Sequence, residues 1–333
     1  MQWSKLIALA LIAPSVNALL RFSCSQLVVE RLDPLVAPGV SPSSHLHQII
    51  GGNSFNASMD PANDIPGEST CTTCTFTEDF SNYWTAVLFF RARNGTFHRV
   101  PQRANQGFEQ ANGGMTVYYT PSYTGGSVTA FSPGFRMLVG NPMFRSEAEA
   151  SQFRQLTFTC LDTLGTRTGE TMDMPTRPCQ EGIMANIRFP TCWDGVNLDS
   201  ADHQSHVAYP QSGTFESGGP CPSTHPVPIP QLFYEVIWDT RQFNDQNEWP
   251  EDGSQPFVWS YGDPTGYGTH GDYVFGWQGD ALQKAMDSNC NIYCPELGSQ
   301  DINQANQCTM QPTVQEDISG WLDELPGGMP VTS

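Results

Sequence analysis

Lysine is almost missing from this chain: Lys5 and Lys284 are the only two among 333 residues. Schiff-base chemistry, a Walker-type phosphate loop and a Ser-Lys dyad would all have to use one of them. The glycine-rich stretch Gly262-Asp-Pro-Thr-Gly-Tyr-Gly268 carries no lysine, so it reads as a tight-turning loop that presents Asp263 and His270 rather than as a phosphate cradle. Positive charge is scarce altogether. With 15 Lys and Arg against 34 Asp and Glu the formal charge is −19, which argues against nucleic acid and anionic membrane as partners. No Gly-x-Ser-x-Gly elbow and no His-Glu-x-x-His pair occurs, which argues against an α/β-hydrolase esterase and a typical zinc protease. There is no internal repeat.

Long apolar runs are missing too. The one at the start, Leu6 to Ala13 after Lys5, is too short for a bilayer that needs roughly 20 residues, and it reads as a secretory signal peptide over residues 1–18. Cleavage after Ala18 leaves Leu19 first, which does not suit the N-terminal histidine brace of copper polysaccharide oxygenases. All ten cysteines follow the signal: Cys24, Cys71, Cys74, Cys160, Cys179, Cys192, Cys221, Cys290, Cys294 and Cys308. In an oxidising compartment an even count predicts five disulfides. Cys71-Thr-Thr-Cys74 has no companion pair, so it is read as structural rather than as a redox or zinc motif. Sequons at Asn56 and Asn94 predict exposed, glycosylated loops.

Turn residues are spread evenly, which predicts one domain over residues 19–312 and a partly ordered tail over 313–333. Short β-branched and aromatic segments predict strands near Gln26–Arg31, Trp84–Ala92, Met115–Tyr119, Phe135–Val139, Gln155–Cys160, Ile187–Pro190, Leu232–Trp238, Phe257–Tyr261 and Tyr273–Trp277. The period-two alternation of Leu232–Trp238 predicts a strand buried mainly on one side. Helices are few: a capping box at Ser146, helical spacing over Gly279–Ser288, and a third set at Ile318, Trp321, Leu322 and Leu325. The expected fold is mainly β, a single antiparallel β-sandwich or jelly roll with long stapled loops.

Six of the seven histidines fall in polar clusters: His45-Leu-His47, Asp202-His203-Gln-Ser-His206, Ser223-Thr-His225 and His270-Gly-Asp272. Residues two apart on extended backbone point to one face, so His45 and His47 aim at one place, as a metal site or an acid-base pair requires. Asp202 and Asp272 are placed to accept an imidazole N–H and fix a tautomer. His98 reads as an ordinary strand residue. Trp193 and Trp249 flank polar loops and are the candidates, with Asp263, for contact with a sugar; the acidic Trp249–Pro256 stretch reads as a solvated loop before it reads as a glycosidase carboxylate pair.

Several blocks carry a resemblance. They are His45-Leu-His-Gln-Ile-Ile-Gly-Gly-Asn-Ser-Phe55, Cys71-Thr-Thr-Cys-Thr-Phe76, Asp202-His-Gln-Ser-His-Val-Ala-Tyr-Pro210, Cys221-Pro-Ser-Thr-His-Pro226 and Gly262-Asp-Pro-Thr-Gly-Tyr-Gly268. Through them the chain resembles a family of secreted proteins common in filamentous fungi, catalogued as a domain of unknown function and sometimes joined to WSC cell-wall modules. The resemblance implies an extracellular, single-domain protein associated with cell-wall or plant polysaccharide, with His45, His47, His203, His206, His225 and His270 inside its recurrent motifs.

The first functional expectation is a carbohydrate-active hydrolase or lyase in which His45, His47, Asp202, His203, His206, His225, His270 and Asp272 carry proton transfer. The second is a divalent-metal site at His45 and His47 with one or two of the other clustered histidines, His206 and His225 foremost. The third is a non-catalytic glycan-binding protein.

Overall fold

In the computed structural model, described for residues 19–121, 126–213, 219–288 and 290–332, the chain is built from antiparallel strands. The expected signal peptide lies outside those residues. The largest sheet has Leu20–Cys24, Met115–Thr120, Gln231–Trp238, Ile183–Arg188 and Leu156–Cys160 side by side, with Gln102–Arg103 added to the central strand. The second runs Val28–Glu30, His47–Gly51, Asn82–Ala86, His270–Val274 and Arg136–Gly140. A four-stranded and a three-stranded sheet flank this pair.

The two large sheets meet through tyrosines. Tyr83 and Tyr273 of the second sheet lie against Tyr234 and Tyr119 of the first, all fully buried, with ring centroids 5.7 Å apart for Tyr83 and Tyr234 and 6.5 Å for Tyr119 and Tyr273. A buried phenol needs a hydrogen-bond partner. The hydroxyls of Tyr83 and Tyr119 stand 2.9 Å apart, Tyr119 donates to Tyr273, Trp277 donates to Tyr119, and Tyr83 donates at 2.6 Å to Asp79. The second sheet is buried on its outer face as well, where Trp84 and Ile49 pack with Phe55, Leu32 and Leu35 from the long N-terminal loops. Both faces of Asn82–Ala86 are therefore covered, which is why no polar alternation marks it.

Three expectations are corrected. Trp84–Ala92 is two strands, Asn82–Ala86 and Leu88–Arg91, in different sheets, because Val87 turns aside to bond Leu46. Leu232–Trp238 is not open on one face: Glu235 there is buried, accepting from Asn105 and Tyr118 and paired with Arg167. The segment after Thr313 is part of the fold rather than a loose tail. Glu30 accepts from the backbone of Thr313 and Val314, Arg31 pairs with Glu316, and Trp321–Leu322 joins Phe97–Arg99 as a strand where a helix was expected. Gly262, at φ +86°, lets the last residues lie close, since a Cβ there would come within 1.9 Å of the Pro330 carbonyl. The capping box at Ser146 and the helix Ala281–Asp287 are present, the former only one turn long.

All ten cysteines pair, as Cys24–Cys74, Cys71–Cys308, Cys160–Cys179, Cys192–Cys221 and Cys290–Cys294. The two cysteines of Cys71-Thr-Thr-Cys74 bond elsewhere, one tying the C-terminal region to the N-terminal loops. Thiol titration of the denatured, unreduced protein should find no reactive thiol; two or more would contradict the pairing.

Burial pushes the Asp79 carboxyl up to about 7, only partly offset by hydrogen bonds from Tyr83 and Ser81. The folded state thus holds a proton that the unfolded chain releases near 4, and the stability this provides is lost as pH rises through 7. Replacing Asp79→Asn should flatten the decline in melting temperature between about pH 4 and pH 7, an effect worth on the order of 4 kcal/mol across that window. An unchanged slope would show that Asp79 does not carry it.

Candidate functional site

The strand His47–Gly51 and the strand His270–Val274 both border Asn82–Ala86. His47 lies opposite Ala86, and Asp272 lies opposite Trp84, so His270, two residues earlier, comes alongside Ala86 on the same face. Ala86 leaves room for two imidazoles to lean over it from either side. Their ring centroids stand 6.1 Å apart. On the far side of His270 the register partner is Gly140, at φ +87°, where a Cβ would meet the Thr269 carbonyl at 2.1 Å and the His270 Cα at 2.8 Å. His45 reaches the same place from just before its strand, with Leu46 turned the opposite way into the core. Its centroid is 4.3 Å from that of His47 and 5.3 Å from that of His270.

The three rings each present one nitrogen to the others, and these lie within 4.8 Å of one another. Hydrogen bonds set which nitrogen this is. His47 Nδ1 is 2.9 Å from the Leu32 carbonyl and His270 Nδ1 is 3.3 Å from the Gly268 carbonyl. A carbonyl accepts only, so both Nδ1 atoms carry the proton and both Nε2 atoms keep a lone pair. His45 Nε2 lies 3.3 Å from His270 Nε2, while its Nδ1 faces the Ser44 hydroxyl at 3.0 Å. His47 Nε2 is buried with no hydrogen-bond partner. Burial, reinforced by the neighbouring rings, pushes His45 well below the usual imidazole range and His270 down to about 4; burial also lowers His47, against the opposing charge of Asp33. At neutral pH all three are uncharged bases.

A cavity of about 560 Å³ opens beside the trio, with His45, His270, Asp33 and Tyr261 in its lining, while His47 is fully buried and does not line it. Asp33 Oδ1 accepts from the backbone of Leu35 and Val36, which shapes the loop over the rings. Sequence reasoning missed Asp33, Tyr261 and the wall residues Met329, Pro330 and Thr332. Asp33 looks like any loop acid, and the last three lie in the segment expected to be a tail.

The remaining expected residues stand elsewhere. His203 pairs with Asp199 at 2.7 Å, and His206 bonds both the Arg136 carbonyl and Ser200, while His225 bonds the Ser205 carbonyl and Thr224. None of these rings belongs to the trio. Asp202 takes hydrogen bonds from Ser200, Gln204 and Ser205 rather than from an imidazole; although burial opposes it, those bonds hold its carboxyl below the usual range. Asp272 does not orient a histidine either. Both its oxygens are buried without a partner, and burial, then the charge of Asp33, pushes its pKa well up. The tautomers are set by backbone carbonyls instead. Asp263 is fully buried, accepting from Thr265 and Gly268 to shape the glycine-rich loop. Trp249 is a core residue, bonded to the Phe243 carbonyl, and so offers no sugar-stacking face. Trp193, half-buried, bonds the Asn197 carbonyl and does not line the cavity. Asn56 and Asn94 are exposed.

No helix among the described residues is long and apolar enough to cross a membrane. No curated protein and no solved structure matches the chain. Residues 33–277 match the family described as a domain of unknown function, DUF1996, and that span contains Asp33, all three converging histidines and Tyr261; the chain belongs to this family.

Proposed function

We propose that this protein is a secreted, metal-dependent enzyme whose centre is a divalent ion held by His45, His47 and His270. One observation carries the reading: three buried, uncharged imidazoles each turn one nitrogen to a common point, those of His47 and His270 are fixed as unprotonated, and that of His47 has no hydrogen-bond partner. Leaving a buried acceptor bare costs about 1–3 kcal/mol, which a metal would remove. The spacing of one pair also fits. Two nitrogens bound tetrahedrally at about 2.0–2.1 Å stand roughly 3.3 Å apart, and His45 and His270 stand 3.3 Å apart.

An all-imidazole set suits zinc, copper, iron or nickel rather than magnesium or calcium. Three protein ligands with a cavity at the fourth side is the arrangement of a catalytic site, where the ion supplies Lewis acidity and lowers the pKa of a bound water. The chain's own part is to keep the three nitrogens deprotonated, to fix two of them through Leu32 and Gly268, and to keep bulk water off the inner side.

Proton transfer on a polysaccharide by the wider histidine set has less support, since His203, His206 and His225 each spend ring nitrogens on structural bonds and Trp249 is buried. The five disulfides accord with secretion, and glycans at Asn56 and Asn94 would lie on exposed loops.

Protein secreted without a histidine tag should carry about one transition-metal ion per chain by elemental analysis. His47→Ala should lose it. His206→Ala should keep it while melting earlier, because the Arg136 carbonyl and Ser200 lose a buried partner at about 1–3 kcal/mol. Metal-free wild type that also fails to take up zinc or copper would overturn the proposal.

A further inference from the structure

The cavity over the trio has a composition that selects among ligands. Its outer wall is apolar: Val36, Met143, Met329 and the rings of Pro142 and Pro330 stand around it, with Tyr261 at its base. Val36 and Met143 are 57% and 77% exposed, so two of the eight solvent-facing large apolar residues among the described ones gather at one mouth. A glycan chain, with a hydroxyl on nearly every carbon, would strand those groups against such a wall.

The charged groups narrow the choice further. Arg145 is the cavity's one guanidinium, and it is committed to the protein. Its Nε bonds the Thr332 carbonyl, Nη1 bonds the carbonyls of Pro142 and Phe144, and Nη2 bonds the Thr332 hydroxyl. Four of its five N–H donors are thereby used in joining the Pro142–Phe144 turn to the C-terminal segment. Arg145 therefore builds the wall and leaves little to bind a carboxylate. The remaining charge is Asp33, whose Oδ1 is held by two backbone N–H groups and whose Oδ2 accepts no hydrogen bond among the described residues. A bare carboxylate oxygen repels an anion and welcomes an O–H donor.

We propose that this cavity takes a small phenol, an aromatic body with a single neutral hydroxyl, whose oxygen fills the open side of the metal site while its O–H faces Asp33 and its ring lies among Tyr261, Met143 and Met329. Thioethers pack well on aromatic rings, at separations near 5 Å. The cavity volume of about 560 Å³ is that of a small-molecule site rather than of a polymer groove. This inference rests on the metal reading above and adds its substrate class.

Cobalt-loaded full-length protein provides the test, because the visible bands of cobalt change when a ligand enters its first coordination sphere. Titration with 4-methylphenol should give a saturable spectral change, and 4-methylbenzoate or a cello-trisaccharide at the same concentrations should not. Met143→Glu should retain its cobalt and bind the phenol about tenfold more weakly, because one apolar contact is replaced by a charge. Cobalt bands that respond to the carboxylate or the trisaccharide and not to the phenol would overturn the inference and leave the metal centre standing. So would bands that respond to none of the three, or a Met143→Glu protein that binds the phenol as well as wild type. Failure of the protein to take up cobalt at all would overturn both.

Discussion

Three imidazoles buried against one another, each with one nitrogen turned inward, are the constraint on which the rest of this structure turns. Uncharged rings in that arrangement have no internal solution. At most one N–H can be shared, as between His45 and His270, and the His47 nitrogen is left bare. The surrounding fold holds the cost in place rather than relieving it. The Leu32 carbonyl takes the proton-bearing side of His47, which rules out the tautomer that would let its other nitrogen donate a hydrogen bond. Small residues at 86 and 140 make the space that the rings occupy, and both faces of the supporting sheet are packed.

Rigidity of that kind needs support from a distance. Behind the site the sandwich is closed by the phenol chain from Asp79 through Tyr83 and Tyr119 to Tyr273, in which each hydroxyl has a partner. In front of it the N-terminal loop that carries Asp33 is tied through Glu30 and Arg31 to the C-terminal region, to which Cys71–Cys308 also joins the loop before Asn82–Ala86. That region returns to complete the cavity wall, held by Arg145 and by the close approach at Gly262. The family match ends at residue 277, yet Met329, Pro330 and Thr332 line the same cavity as residues within it.

Much of this was legible in the sequence for definite reasons. Ten cysteines in an oxidising setting have one simple outcome, and strands rich in aromatic and β-branched residues announce a β fold. His45 and His47 were readable as a pair because a spacing of two on extended backbone is a local rule. His270 was readable only as one of several candidates. Its partnership with His47 depends on both strands flanking Asn82–Ala86, a non-local fact that no window of sequence contains. His203, His206 and His225 show the opposite case, in which clustering in sequence reflects loops that use imidazole to satisfy nearby carboxylate, backbone and hydroxyl groups. The C-terminal segment was misread because its contacts are single buried anchors, such as Leu325 and the bond from Thr332 to Gly262, rather than a periodic pattern.

The central claim is that the three converging nitrogens are metal ligands and not an unrelieved polar knot. X-ray absorption at the metal edge of untagged protein addresses it most directly. The account predicts a first shell of three imidazole nitrogens at about 2.0–2.1 Å with one further light atom. An all-oxygen shell, or no metal edge after incubation with zinc and copper, would contradict it.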